Sequence, residues 1–287
     1  MPADPPKGPP KLAVDLAGEN VHWDFRKDMS YSDYLRLNSL LSAQQPLTEH
    51  HDETLFIVIH QASELWIKLC LHEIAAAIRQ VREGDLGIAF KMMARVARVQ
   101  VNLIQSWEIL STMTPFDYSN FRAALGKSSG FQSYQYRMLE FRLGNKNREM
   151  ARVFESHPDI AHQVQNALTE PSIYDEALAL LARRGFSIPT EKLKRDFSES
   201  YVADHRVTEA WRQVYRDVEK HWDLYELAEK LVDLEYRFHL WRFSHMKTVE
   251  RIIGSKPGTG GTSGVPYLQK ALSLRFYPEL WDVRTEI

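Results

Sequence analysis

A chain of 287 residues, 44% hydrophobic and 26% charged, is long enough to bury one large core and has the balance of a globular protein. A formal charge of −2 offers no bulk field to nucleic acid or an anionic membrane. The single cysteine, Cys70, excludes internal disulfides and thiolate-rich metal sites.

No apolar run approaches the roughly 18 residues of a membrane span, and the start MPADPPKGPP lacks a signal peptide's apolar centre. A cytoplasmic protein is expected, with no membrane and no nucleic-acid partner. Five of the 13 prolines fall in the first ten residues, so residues 1–20 are expected to be extended and disordered. From there the apolar residues recur at helical spacing, and no run of alternating apolar and polar residues marks a strand. The expectation is all-α: a single helical domain over 21–287, built of long packed helices.

In chain order, the first helix is expected over 30–42 and the second over 53–83. On the second, Phe56, His60, Ser63, Ile67, Cys70, Ile74, Ala77 and Val81 share one face. His60 thus interrupts an apolar stripe. Read alone, it is most simply a core histidine with a hydrogen-bond partner. The preceding HHDE at 50–53 mixes ligand-type residues, but neighbours on a helix point in different directions. A solvated helix start is the simpler reading.

Helices follow over 86–112 and 115–125. In TPFDYSNFRAALG, Thr114 can cap, Pro115 suits the first turn, Asp117 favours the positive end of the dipole and Gly126 marks the stop. Tyr118 and Arg122, four apart, share a face. An arginine fork beside a phenol can receive a carboxylate; an arginine lying over a ring on the surface fits the same spacing. SSGFQS at 128–133 supplies hydroxyls that can cap the next helix or reach into a site. Further helices are expected over 131–143, 147–156, 159–168, 172–184 and 190–198.

The segment 205–253 is too long for an ordinary helix and can be two. Along it Leu227, Leu231, Leu234, Phe238, Trp241, His245, Val249 and Ile252 form one stripe, again with a histidine in it. His239 lies about 240° round the helix from His245 and cannot share that face. Two histidines in apolar stripes of two long helices suit a cofactor held between helices, and a haem iron takes such a neutral imidazole as its proximal ligand. Neither HExxH nor a pair of Glu-x-x-His motifs points to a non-haem metal.

Next comes GTGGTSG at 258–264. With Gly254, it gathers five of the chain's 13 glycines into eleven residues. It lacks the lysine of a phosphate loop and no strand precedes it. The apolar pattern of a last expected helix, 265–273, makes a slack tail unattractive. A lid over the His245 region fits best.

The blocks FIVIHQASELWIKL, TPFDYSNFRAALGKSSGFQSYQYRMLEFRLGNKN, LWRFSHMKTVERIIG and GTGGTSGVPYL resemble the tryptophan 2,3-dioxygenase family of the bacterial type, from about Tyr31 to Thr285. The resemblance implies an all-helical homotetramer with haem b, one iron per subunit, held between helices. It implies a dioxygenase that opens the indole ring of L-tryptophan with O2 to give N-formylkynurenine, the first step of tryptophan catabolism. By the same resemblance His245 is the proximal iron ligand, and His60 is the distal histidine that meets the indole N–H. Phe56 lines the pocket, Tyr118 and Arg122 bind the substrate carboxylate, and Thr259 closes over the amino-acid end. Ser129 lies near the haem. Tyr31, Tyr34 and Leu35 belong to an N-terminal element that reaches a neighbouring subunit's site.

Overall fold

The structure, a computed structural model, describes Val14, Leu16 and residues 18–287, and among these every regular element is helical. The expected disordered start falls for the most part on residues 1–13, outside the described residues. The chain divides into two compact units, with the boundary between Gln45 and Pro46.

The first unit carries α1 (Tyr31–Leu35) and α2 (Leu37–Leu41). A single helix over 30–42 is not what forms. Arg36 adopts φ 54, the left-handed region, and its N–H closes back on the carbonyls of Ser32 and Asp33. Ser30 and Asp33 start α1 with a reciprocal capping box, Asp33 N–H donating to Ser30 Oγ at 3.2 Å. Neither short helix buries a residue.

The second unit is built on α3 (His51–Glu83), α4 (Leu86–Leu110) and, late in the chain, α12 (Trp222–Ile253). Between α3 and α4 lies a two-residue turn. Gly84 takes φ 86, which a side chain would strain, and Asp85 caps α4 through Ile88 N–H. So short a connection returns α4 along α3, and α12 packs on α4. Between them come α5 (Pro115–Arg122), α6 (Tyr134–Leu143), α7 (Arg148–Ala151), α8 (Pro158–Thr169), α9 (Ile173–Arg183), α10 (Thr190–Leu193) and α11 (His205–Arg216). After α12 come α13 (Val265–Leu272) and α14 (Pro278–Glu286). The long segment 205–253 is indeed two helices, parted at residues 217–221.

The main core takes Ile67, Cys70, Ile74, Ala77 and Val81 from α3, Met93, Val96 and Leu103 from α4, and Leu227, Leu231, Leu234 and Phe238 from α12. Each stripe read from the sequence therefore divides. On α3 the stripe is buried from Ile67 onward and only half-buried at Phe56, His60 and Ser63. On α12 it is buried through Phe238 and half-buried at Trp241, His245 and Val249. Both leave the packed core just where their histidines begin.

Among the described residues α3 is long and apolar enough, by composition alone, to cross a membrane. Here it lies lengthwise against α4, α6 and α9 and contributes to the main core. The C-terminal helix α14 has no counterpart among the expected helices. Buried Glu235 holds its approach, accepting from Phe276 N–H at 2.6 Å, Tyr277 N–H at 3.2 Å and Trp281 Nε1–H at 2.8 Å.

Candidate active site

Where the two stripes leave the main core, a smaller cluster takes over. Ile59, Trp107, Leu110, Met113, Phe121 and Ile252 are its buried members, with Phe56, Tyr118 and Trp241 packed on it. Four helices thus deliver side chains to one place: α3 brings Phe56 and His60, α4 Trp107, α5 Tyr118 and Arg122, and α12 Trp241 and His245.

The rings form a continuous series. Phe56 lies 5.9 Å from Tyr118 and 4.1 Å from His60, and His60 meets Trp107 edge-on at 6.5 Å. Trp107 then stacks on His245 with centroids 4.5 Å apart and planes 19° from parallel. Trp241 flanks the same imidazole at 5.9 Å and 27°. His60 and His245, 185 residues apart in the chain, are thereby brought to one site.

Burial sets the charge state of both histidines. It pushes His245 down to about 4, with His60 adding to the effect, so His245 is a neutral imidazole near neutral pH. Burial also lowers His60, against smaller opposing effects of the Phe56 carbonyl and Glu64. His60 Nδ1 sits 2.7 Å from the Phe56 carbonyl oxygen, which can only accept. The neutral ring therefore carries its proton on Nδ1, and Nε2 keeps a free lone pair.

Tyr118 and Arg122 stand on α5, whose start is fixed by a capping box between Thr114 and Asp117. Burial raises the Tyr118 phenol, while the charge and hydrogen bond of Arg122 pull it down, so it stays a neutral donor. Arg122 Nη2 donates to the Pro257 carbonyl at 2.7 Å, and its Nε is buried with no partner among the described residues. The glycine loop is seated over this corner. Thr259 Oγ1 donates to the Ser128 carbonyl at 2.6 Å. A Cβ on Gly260 would come within 2.7 Å of Ser129 Cβ, so only glycine permits that approach. Ser129 caps the short turn 130–132 through Phe131 N–H at 3.3 Å.

Tyr31, Tyr34 and Leu35 lie on α1 in the first unit, all exposed. His239 is elsewhere on α12, 3.7 Å from Glu235. In the HHDE run, Glu53 is buried and accepts from Leu47 and Thr48 N–H at 2.8 Å each, a structural anchor for the start of α3. Sequence reasoning overlooked Trp107. Its position between buried Leu103 and Leu110 on the same face of α4 was the available signal.

Among the described residues no group of three or more His, Cys, Asp or Glu could hold a metal ion. An iron on His245 would need its remaining ligands from a macrocycle, not from side chains. A neutral imidazole among aromatic rings is the donor that a haem iron takes, so these residues fit a haem.

The chain matches a family model described as tryptophan 2,3-dioxygenase over residues 17–169 and 212–287. The tryptophan 2,3-dioxygenase of Exiguobacterium sibiricum is 56% identical over 269 residues, covering 94% of this chain and 96% of the relative. That of Erythrobacter litoralis is 58% identical over 91% of this chain and 99% of its own. A third, from Polaromonas sp., is 53% identical over 99% of both.

Proposed function

The chain belongs to the tryptophan 2,3-dioxygenase family, and we propose how its own residues divide the work of that family's reaction. The reaction is the oxidative opening of the indole ring of tryptophan to N-formylkynurenine, an entry to kynurenine-type catabolism. Haem b, one iron per subunit with His245 as its proximal ligand, is the cofactor of this reading. When bound, it would supply the redox-active iron chemistry that activates O2 toward the indole ring.

The observation that carries the reading is the convergence of two neutral imidazoles, from α3 and α12, on one aromatic cluster beside Arg122. His60 Nε2, the unprotonated nitrogen, accepts the indole N–H and orients the ring. Its Nδ1–H stays donated to the Phe56 carbonyl, so the acceptor does not depend on a tautomer shift. Positioning the ring is then its main contribution. Phe56 and the rings around it exclude water.

Arg122 and Tyr118 receive the L-tryptophan carboxylate. The unpartnered Nε of Arg122 supports this, since a buried donor without an acceptor costs stability until a ligand supplies one. Thr259 closes over the amino end, with Ser129 beneath the loop as its seat. Tyr31, Tyr34 and Leu35 are assigned to a neighbouring subunit's site in a homotetramer, a reading supported by their exposure in the single chain. The cytoplasm is the compartment of this reading.

The test is His245→Ala. The purified variant should lose stable haem and its absorbance, whereas His60→Ala should keep haem and lose much of the activity. Undiminished haem with an unchanged axial-ligand spectrum in His245→Ala would remove the assignment.

A further inference from the structure

His245 is set in place by its backbone only in part. The torsion that turns an imidazole about its own axis has broad wells, so something else must fix the plane of the ring. A ligating histidine is commonly oriented through a hydrogen bond from its second nitrogen. Here the strongest geometric constraint on the ring is aromatic. Trp107 covers one face of it nearly parallel, with centroids 4.5 Å apart and planes at 19°. Trp241 flanks it at 5.9 Å and 27°, and the two indoles support each other at 5.8 Å.

Trp107 is itself held firmly. It is only 7% exposed and sits where α4 packs on α12, between the buried side chains of Leu103 and Leu110. It also meets His60 edge-on at 6.5 Å, so one indole is in contact range of both histidines. Its Nε1–H has no acceptor among the described residues, so no protein hydrogen bond explains why an indole stands there. What the indole does offer the site is a broad flat face laid against His245.

We propose that Trp107 is a positioning residue, whose indole face fixes the plane of the His245 imidazole and so sets the direction of its lone pair. The prosthetic group then meets a ligand already aligned, and the ring does not have to be ordered when iron binds. This rests on the reading of His245 as the proximal ligand. Trp241 stands beside Trp107, 5.8 Å from it, and is more distant from the imidazole, so the larger effect belongs to Trp107.

The experiment compares the haem-loaded wild type with Trp107→Leu and Trp107→Phe, alongside His245→Ala. Two quantities are read: the iron–histidine stretching band of the ferrous protein by resonance Raman, and the rate at which haem is lost to an excess of apo-globin. Trp107→Leu should shift or broaden the band and speed haem loss about 2- to 10-fold, the worth of one stacked aromatic pair. Trp107→Phe, which keeps a flat face, should restore most of both. Trp107→Met fills volume without a plane and replaces the leucine variant if that one fails to fold. A wild-type band and wild-type haem loss in the leucine or methionine variant overturn the proposal. A band that survives in His245→Ala overturns the ligand reading instead, so the two failures are told apart.

Discussion

Arg122 spends one donor on the loop and holds another in reserve. Nη2 is committed to the Pro257 carbonyl while Nε is buried and free. One guanidinium can therefore hold the loop and a carboxylate together. Truncating one partner of a buried charge pair costs about 2–5 kcal/mol, or about 30- to 5,000-fold in affinity. Arg122→Leu should weaken tryptophan binding within that range, measured by titration of the haem spectrum. Tryptamine, which lacks the carboxylate, should be affected much less; equal losses would mean that Arg122 serves the loop alone. At this scale His60, His245, Tyr118 and Arg122 stood out as candidates because each breaks a pattern, a polar group in an apolar stripe or a charged fork one turn from a phenol. The roles proposed for them came from the family resemblance. Trp107 breaks none. An indole on an apolar face looks like core until the structure lays it on His245.

The helices themselves were legible wherever a cap and a spacing agreed. Thr114, Pro115 and Asp117 announce α5, and Gly84 with Asp85 announces the turn between α3 and α4. The α14 helix escaped because its nine residues carry no clear stripe and are held by distant partners, Glu235 accepting from Trp281 and Tyr174 donating to Glu279, which no local pattern reveals. The expected helix over 190–198 ends at Leu193. Beyond it, Arg195 turns to Asp175 at 2.9 Å.

A similar distant tie is Lys146, 1% exposed, whose Nζ donates to the carbonyls of Ala167 and Glu170 at 2.7 Å each, at the end of α8. Burial pushes it down to about 7 from 10.5. Between those values the unfolded chain binds the extra proton, so stability rises with pH across this window and is lost as pH falls through about 7. The unfolding free energy of the wild type, minus that of Lys146→Met, should increase from pH 7 toward about pH 10, by at most about 1.4 kcal/mol per pH unit. Denaturant titrations at several pH values read it directly, and a flat difference would mean that the lysine is solvated.

At the scale of the whole molecule, one architectural fact joins fold to chemistry. The stripes of α3 and α12 pack as core along most of their length and then part company with it, and their histidines lie in the stretch where they do. The all-α class follows from composition and spacing, and so do the long helices. The separation of residues up to Gln45 from the rest does not, since no glycine or proline run marks it. The exposed Tyr31, Tyr34 and Leu35 on that first unit are the surface through which the proposed tetramer would complete each site. The central proposal is that His245 would hold the haem, while His60 and Arg122 orient the indole ring that receives both atoms of O2. The most direct measurement is mass spectrometry of the product formed from L-tryptophan by the reduced, haem-loaded protein under isotopically labelled dioxygen. The account predicts N-formylkynurenine carrying both labelled atoms, with no external reductant consumed per turnover. A product with a single labelled atom, or turnover that continues undiminished in haem-free protein, would contradict it.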